Sequence, residues 1–241
     1  MTLVEIREQF VKRNGRYDLV VNASAWADAG ADFFIQAGSR YLDRLEEHDH
    51  SEAKKYKTLT IGDHYFIFQE CRSVHNVWVT NDEYHKELEY REPSIFRAYY
   101  NEIPSGMDGG VPSYWTAALL RTHPQSSTMY VDRWQDDDYT ETSKYDYEYN
   151  GILFMPPTDT AYVMWVEGLF YSKALALDAD NNYWSVNHPE LLIMAANYIL
   201  ELFNRNTEGA KDWIAGIMNI ISGVGKDFVD QHAHQATNMK G

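Results

Sequence analysis

The spacing of hydrophobic residues at the start of the chain predicts two amphipathic helices. The first opens at Thr2, where Glu5 completes a capping-box pattern, and it ends at Asn14 and Gly15. The second is predicted over residues 28–50. Their apolar faces consist of Leu3, Ile6 and Phe10 in the first helix and of Phe34, Ala37, Tyr41, Leu42 and Leu45 in the second.

The middle of the chain has the pattern of short antiparallel strands. From residue 56 onward, runs rich in Thr, Ile, Tyr, Phe and Val replace the helical spacing. We expect breaks in these strands at residues 62–63 and 72–76, and a short helix at residues 94–101. Further strands are predicted within residues 114–120, 127–134, 151–157 and 160–171.

Helical spacing returns in the last quarter of the chain. Asn187 as N-cap, Pro189 in the first turn and Glu190 after it predict a helix start. A final helix is predicted to begin near Thr207, and residues 226–241 are expected to form a mobile polar tail. The wide apolar face of the final helix consists of Trp213, Ile214, Ile217, Ile220, Ile221, Val224 and Phe228.

These elements together predict an α+β fold with two domains. A helix in a protein is stabilised mainly by burying its apolar face, so the terminal helices are expected to pack into one bundle formed by residues 1–52 and 185–241. Residues 53–184 then form an inserted, antiparallel β-rich domain. Gly38 fits this arrangement, because a mid-helix glycine costs about 1 kcal/mol relative to alanine unless a neighbouring backbone comes close. The carboxy-terminal helices are the expected neighbour.

Composition narrows the classes of function. The chain has 241 residues, 44% of them hydrophobic, and a formal net charge of −15, which disfavours wrapping nucleic acid. An acidic surface of this kind suits the wall of a channel through which DNA slides without binding. We expect no secretory signal, and no membrane span because the longest charge-free apolar stretch, 213–225, is too short. The single Cys71 indicates synthesis in a reducing compartment.

Two motifs suggest ligands only weakly. Residues 222–228, SGVGKDF, faintly resemble a phosphate-binding loop, but the glycine and the Ser or Thr that such a loop needs are missing and the pattern is that of a helix. Asp178, Asp180 and Asn182 have the opening spacing of a calcium loop. That pattern then fails at Tyr183 and Pro189, so a polar connection leading into a helix is the favoured interpretation.

The histidines and the acidic residues also form no strong candidate for a metal-binding or catalytic site. His48 and His50, like His232 and His234, form His-x-His pairs without a third ligand at a zinc spacing, so solvated histidines are favoured over a shared metal site. No Gly-x-Ser-x-Gly motif occurs, and residues 136–138 form an acidic run without apolar neighbours that would raise a pKa. We therefore predict no catalytic, cofactor-binding or metal-binding residue, and no enzyme activity.

Two segments resemble the phage adaptor, or head-to-tail connector, proteins of tailed bacteriophages. Residues 151–196, GILFMPPTDTAYVMWVEGLFYSKALALDADNNYWSVNHPELLIMAA, are similar to that family in their order of strand, Pro-rich turn, aromatic strand, Asp/Asn-rich connection and Pro-Glu-opened helix. Residues 31–45, ADFFIQAGSRYLDRL, look like the family's second helix, with Gln36 where an Asn is expected. Residues 50–110 do not match the family pattern.

The resemblance implies a structural virion protein. Members form a homo-oligomeric ring, usually a dodecamer, at the head-tail junction, between the portal protein and the tail nozzle or tail fibre proteins. The ring lines the DNA ejection channel, with DNA as non-specific passing cargo and no cofactor or membrane. Synthesis would take place in the host cytoplasm. The bundle would form the ring and face the portal, and the β-rich domain would face the tail.

We predict an interface with another subunit or with the portal. It would lie on the helix predicted over residues 28–50, which carries small residues, and on the carboxy-terminal helices. The alternative is a β-rich tail-associated module that binds carbohydrate or protein, in which aromatic residues between 130 and 171, Trp134 among them, stack on sugars. The acidic, Tyr-rich segment 134–150 is predicted to be either a solvated loop or a partner contact. The predicted interface residues are Ala37, Gly38, Tyr41, Ile217, Ile221, Phe228, His232 and His234.

Overall fold

The structure is a computed structural model. It describes the backbone of residues 1–45, 52–68, 70–99, 106–117, 120–122, 130–132 and 151–238, and the side chains of these residues except Arg97 and residues 120–122, 130–132 and 224–238. Within these ranges the chain is a mixed α+β protein with six α-helices and two larger, mainly antiparallel sheets. The predicted α+β class is confirmed at this level.

The chain divides into two compact units. The helical unit comprises residues 1–51 and 171–241, and the sheet unit comprises residues 52–170. The second part of the helical unit thus begins earlier than residue 185, the predicted boundary. The physical reason is that residues after 170 bond to the helix at residues 31–45. The backbone N–H of Ser172, for example, donates to Asp43 at 2.9 Å.

Five helices belong to the helical unit. They are α1 (Leu3–Asn14), α2 (Ala31–Leu45), α4 (Tyr183–Asn187), α5 (Pro189–Phe203) and α6 (Thr207–Asn238). The predicted capping box at Thr2 and Glu5 is confirmed, and Gly15 ends α1 in the left-handed conformation, at φ 66°. The prediction that Gly30 lies inside α2 is wrong. Its φ of 128° places it before the helix, where its N–H donates to the Asp28 carboxylate at 3.0 Å.

One prediction about the carboxy-terminal helices is wrong, and another gains a structural detail. Asn187 is not an N-cap, because Asn182 caps α4 through a reciprocal pair of hydrogen bonds with Ser185, and α5 then starts directly at Pro189. The tail predicted at residues 226–241 is helical as far as residue 238, and its mobility stays a prediction. No glycine or proline interrupts residues 226–240, so nothing in that sequence ends the helix early.

The first sheet of the sheet unit is antiparallel throughout, in the order β1-β10-β3-β4. Its strands are β1 (Glu52–Leu59), β3 (Cys71–Thr80), β4 (His85–Glu87) and β10 (Tyr162–Phe170). The predicted break at residues 72–76 is wrong, because β3 runs through it with a β-bulge. Asn76 pairs with Glu167 and Val74 with Gly168, which leaves His75 as the extra residue.

The second sheet has the order β2-β9-β6-β5, in which only β5 and β6 run parallel. Its strands are β2 (Tyr65–Ile67), β5 (Glu89–Tyr90), β6 (Tyr114–Thr116) and β9 (Gly151–Met155). Helix α3 (Pro93–Tyr99) lies where a short helix was predicted, and β7 (Leu120–Thr122) pairs with β8 (Tyr130–Asp132).

Each unit has its own hydrophobic core. In the helical unit, buried residues of α1, α2, α5 and α6 pack together with Leu175 and Trp184. In the sheet unit, one face of the first sheet packs against the second sheet, and Met164 and Val79 meet Phe154 and Trp115 in the same cluster. The opposite face of the first sheet carries the alternate residues of its strands.

Candidate interface surfaces

The close approach predicted at Gly38 takes place inside the chain. A Cβ atom at this position would lie 2.7 Å from the backbone N of Ala196 and 3.0 Å from the carbonyl carbon of Ala195, both on α5. Real Cβ atoms do not approach backbone atoms so closely, so only glycine allows α2 and α5 to pack at this distance. The neighbour predicted for Gly38, a carboxy-terminal helix, is thereby confirmed.

The other predicted interface residues of α2 also contact α5 or lie beside it. Ala37 and Tyr41 are half-buried, and the Tyr41 ring lies 4.8 Å from the Tyr198 ring, centroid to centroid. Burial raises the pKa of the Tyr41 hydroxyl, as does its interaction with Tyr198. This side of α2 therefore contacts its own chain first, and its contact with another subunit stays a prediction.

The predicted interface residues of α6 divide into two groups. Ile217 and Ile221 are fully buried in the helical core, in which α6 packs against α5. Phe228, His232 and His234 lie on the helix backbone, but their side chains are outside the described residues. The buried pair stabilises the single chain, and the remaining three residues stay predicted contacts.

Two phenylalanines that the sequence analysis did not select are exposed on the helical unit. Phe33 is 63% exposed and Phe203 is 69% exposed. Both contact the buried Phe34 edge to face, at centroid distances of 5.2 Å and 5.6 Å. We call Phe33, Phe34 and Phe203 the Phe patch. Its signal in the sequence is that Phe33 directly precedes Phe34, because successive residues point about 100° apart around a helix.

Helix α6 exposes apolar side chains as well. Met218 is 47% exposed and Ile220 is 37% exposed, on either side of the buried Ile217 and Ile221. Helix α6 packs against α5, and Met218 and Ile220 extend its apolar face beyond the buried residues of that contact. The Phe patch and this exposed face of α6 are therefore the candidate interface surfaces of the helical unit.

A buried polar network fixes residues 172–185 to α2. The Asp43 carboxylate accepts hydrogen bonds from the Ser172 hydroxyl and from the indole N–H of Trp184, both at 2.7 Å. The Asn182 amide donates to the Ser39 hydroxyl at 3.1 Å, and the Gln36 amide donates to the carbonyl of Leu175. Buried polar groups that are fully paired in this way favour one unique packing.

The calcium-like spacing at residues 178–182 serves this same packing. Asp178 pairs with the buried Arg7 at 2.9 Å. Asp180 accepts from Lys173 at 2.8 Å and from the backbone N–H of Leu177 at 2.9 Å, and these bonds lower the pKa of its carboxyl to about 2. Asn182 caps α4. Among the described residues no group of acidic, His or Cys side chains could hold a metal ion.

The remaining candidate motifs give no site within the described ranges. Residues 222–228 belong to α6, which is not the strand-to-helix turn that a phosphate loop needs. Burial raises the pKa of the Cys71 thiol to about 11, so the thiolate that would act as nucleophile is scarce near neutral pH. His48, His50, Trp134 and the acidic run 136–138 lie outside the described residues.

No protein-family model matches the chain, and no curated protein matches it at a significant level. Within the described residues, no helix combines the length and apolar character needed to cross a bilayer.

Proposed function

We propose that this chain is a structural virion protein, a head-to-tail adaptor of a tailed bacteriophage. In this proposal the helical unit is a bundle, and the β-rich domain is inserted between its two chain segments. Copies of the bundle form a ring, usually of twelve, beneath the portal protein. The sheet unit faces the tail nozzle or tail fibre proteins, and the ring lines the channel through which DNA leaves the head. The proposal extends the resemblance of residues 31–45 and 151–196 to adaptor proteins.

One structural observation supports it most directly: the helical unit presents large apolar side chains outside its own core. Phe33 and Phe203 are each about two-thirds exposed, and burying such a side chain contributes about 1.5–3 kcal/mol. Contacts between copies that cover the Phe patch would recover this free energy at every subunit interface of a ring.

The length of α6 supports a contact beyond the subunit. Its 32 residues span about 48 Å, whereas the 15 residues of α5 span about 22 Å. Ile221 is the last buried side chain of α6 among those described. Residues 222–238 are the length by which α6 exceeds α5, and we propose that this part of α6 contacts the portal.

The test is electron microscopy of the purified chain mixed with the portal protein encoded in the same genome. Stacked rings are expected, and deletion of residues 226–241 should abolish the stacking while the melting temperature stays nearly unchanged. Ring formation should strengthen with salt, because copies that each carry a charge of −15 repel one another. A chain that stays monomeric and does not bind the portal at any salt concentration would overturn the proposal.

A pair of matched variants tests the Phe patch. Phe203→Glu should prevent ring formation, since it places a charge among apolar contacts, and it should leave the monomer folded because Phe203 is exposed. Ile61→Glu is the control, at an apolar position in the sheet unit that is 75% exposed. Intact rings from both variants would exclude the Phe patch as the contact between copies.

A further inference from the structure

The outer face of the first sheet carries a continuous group of aromatic rings. Tyr56, Trp165 and Trp78 are register partners on the neighbouring strands β1, β10 and β3. Ring centroids of Tyr56 and Trp165 are 6.2 Å apart, and those of Trp165 and Trp78 are also 6.2 Å apart. His85 on β4 lies 5.2 Å from Trp78 and 5.3 Å from Trp165. We call these four residues the aromatic row.

This face is not part of the core of the sheet unit. The residues that alternate with the row, Met164, Val166 and Val77 among them, are fully buried on the other side of the sheet. In the row itself, Tyr56 is 64% exposed, His85 is exposed and the two tryptophans are half-buried. Contiguous aromatic rings that stay partly exposed on one face, outside the core, are typical of a binding surface.

Hydrogen-bonding side chains border the row on the same face. Lys54 and Glu167 form an ion pair at 2.6 Å, and the indole N–H of Trp165 donates to Glu167 at 3.2 Å. The amide of Asn76, in the orientation that satisfies its hydrogen bonds, donates to Glu87 at 3.2 Å. On the other side of the row, Thr58, Val163 and Thr80 occupy the next register positions.

We propose that the aromatic row binds a neutral carbohydrate. A hexopyranose ring has an apolar C–H face and a rim of hydroxyl groups, which matches aromatic rings bordered by amide, carboxylate and ammonium groups. The charges here are mixed: Lys54 lies against Glu167, Glu87 borders the same row, and Glu52 pairs with His75 at 3.3 Å further along the face, so no uniform charge of either sign selects a polyanion or a polycation.

This binding site goes beyond the adaptor function and does not depend on it, because the row lies within the sheet unit of a single chain. Of the aromatic residues between 130 and 171 that the sequence analysis considered as sugar contacts, only Trp165 belongs to the row. A surface of this kind would let the protein hold a surface polysaccharide of a cell, whether or not it also assembles into a ring.

The test is binding of the full chain to an array of neutral oligosaccharides built from glucose, galactose, mannose, rhamnose and N-acetylglucosamine, with sialylated oligosaccharides and oligolysine peptides on the same array. We expect signals on neutral members. Tyr56→Ala should lower the affinity for the strongest of them about threefold to tenfold, the range that one aromatic contact supplies. Tyr56→Phe should bind normally, because it keeps the ring.

Tyr17→Ala is the matched control, because Tyr17 is 51% exposed and lies in the helical unit. Its binding should equal that of the unchanged chain. The exposure of Tyr56 keeps Tyr56→Ala folded, and an unchanged melting temperature verifies this. The proposal is overturned if no neutral oligosaccharide binds, if Tyr56→Ala binds as well as the unchanged chain, or if only oligolysine binds, which would indicate a cationic protein partner instead.

Discussion

The substitution Gly38→Ala tests how tightly the two central helices of the helical unit are packed. The added methyl group would lie 2.7 Å from the backbone N of Ala196 and 3.1 Å from its Cα atom. These atoms belong to the main chain of α5, so no rotation of a side chain relieves the contact. Either α2 and α5 move apart or the local backbone distorts.

Two opposing effects determine the magnitude. Overpacking of a well-packed core costs about 1–3 kcal/mol, whereas replacing a mid-helix glycine by alanine gains about 1 kcal/mol. Because the clash is with backbone atoms, the cost should lie near the upper end of its range. We expect a net loss of about 1–2 kcal/mol, which lowers the melting temperature by about 2–4 °C for each kcal/mol in a chain of this size.

The control is Gly223→Ala on α6, since apart from the backbone of its own helix no atom of the described residues lies within 4 Å of the place where its Cβ would be. That change should stabilise the chain by up to about 1 kcal/mol through helix propensity alone. Urea titrations followed by far-ultraviolet circular dichroism report the helices in both variants. If Gly38→Ala stabilised the chain as much as Gly223→Ala does, the close contact between α2 and α5 would be refuted.

Three further changes test polar groups. Asp43→Ala should destabilise the chain by about 3 kcal/mol in a urea titration, because the buried indole N–H of Trp184 loses its acceptor. The pKa of Asp180 is lowered from 3.8 to about 2, so the stability it supplies is complete above pH 4 and is lost as the pH falls through 2. Melting curves of Asp180→Asn across this range should lack that loss. Thr116→Val should leave the melting temperature equal or higher, since the buried hydroxyl of Thr116 finds no partner in the described ranges.

Local signals in the sequence predicted the helices well. The capping box of α1 and the Pro189 start of α5 involve residues within one turn of each other, so their geometry follows from short-range hydrogen bonding. The prediction of Asn187 as a cap was wrong because Asn187 is the last residue of α4, a helix that Asn182 caps, and the N-cap position of α5 falls on His188. Asn182 also donates to Ser39 on α2, a tertiary contact at the start of α4 that no local pattern encodes.

The sequence predicted where strands occur along the chain, but it did not predict how they pair into sheets. Strand β10 lies between β1 and β3, and its partners are more than eighty positions away in the chain. No local pattern encodes such a pairing. The bulge at His75 shows the same limit, because it depends on Gly168 of β10, where a Cβ would lie 2.1 Å from the carbonyl oxygen of Ser73. In the sequence, the irregular residues around His75 resemble a turn.

A small-residue face on a helix indicates a close neighbour but not which chain that neighbour belongs to. At Gly38 the space is occupied by the backbone of α5, and two helices cannot occupy it at once. If copies of this chain associate through the helical unit, they must therefore use side chains that its own core leaves exposed, Phe33 and Phe203 in the first place. Those side chains are large, so the contact between copies would resemble a hydrophobic core with aromatic residues at its centre, and not the close backbone packing that glycine allows.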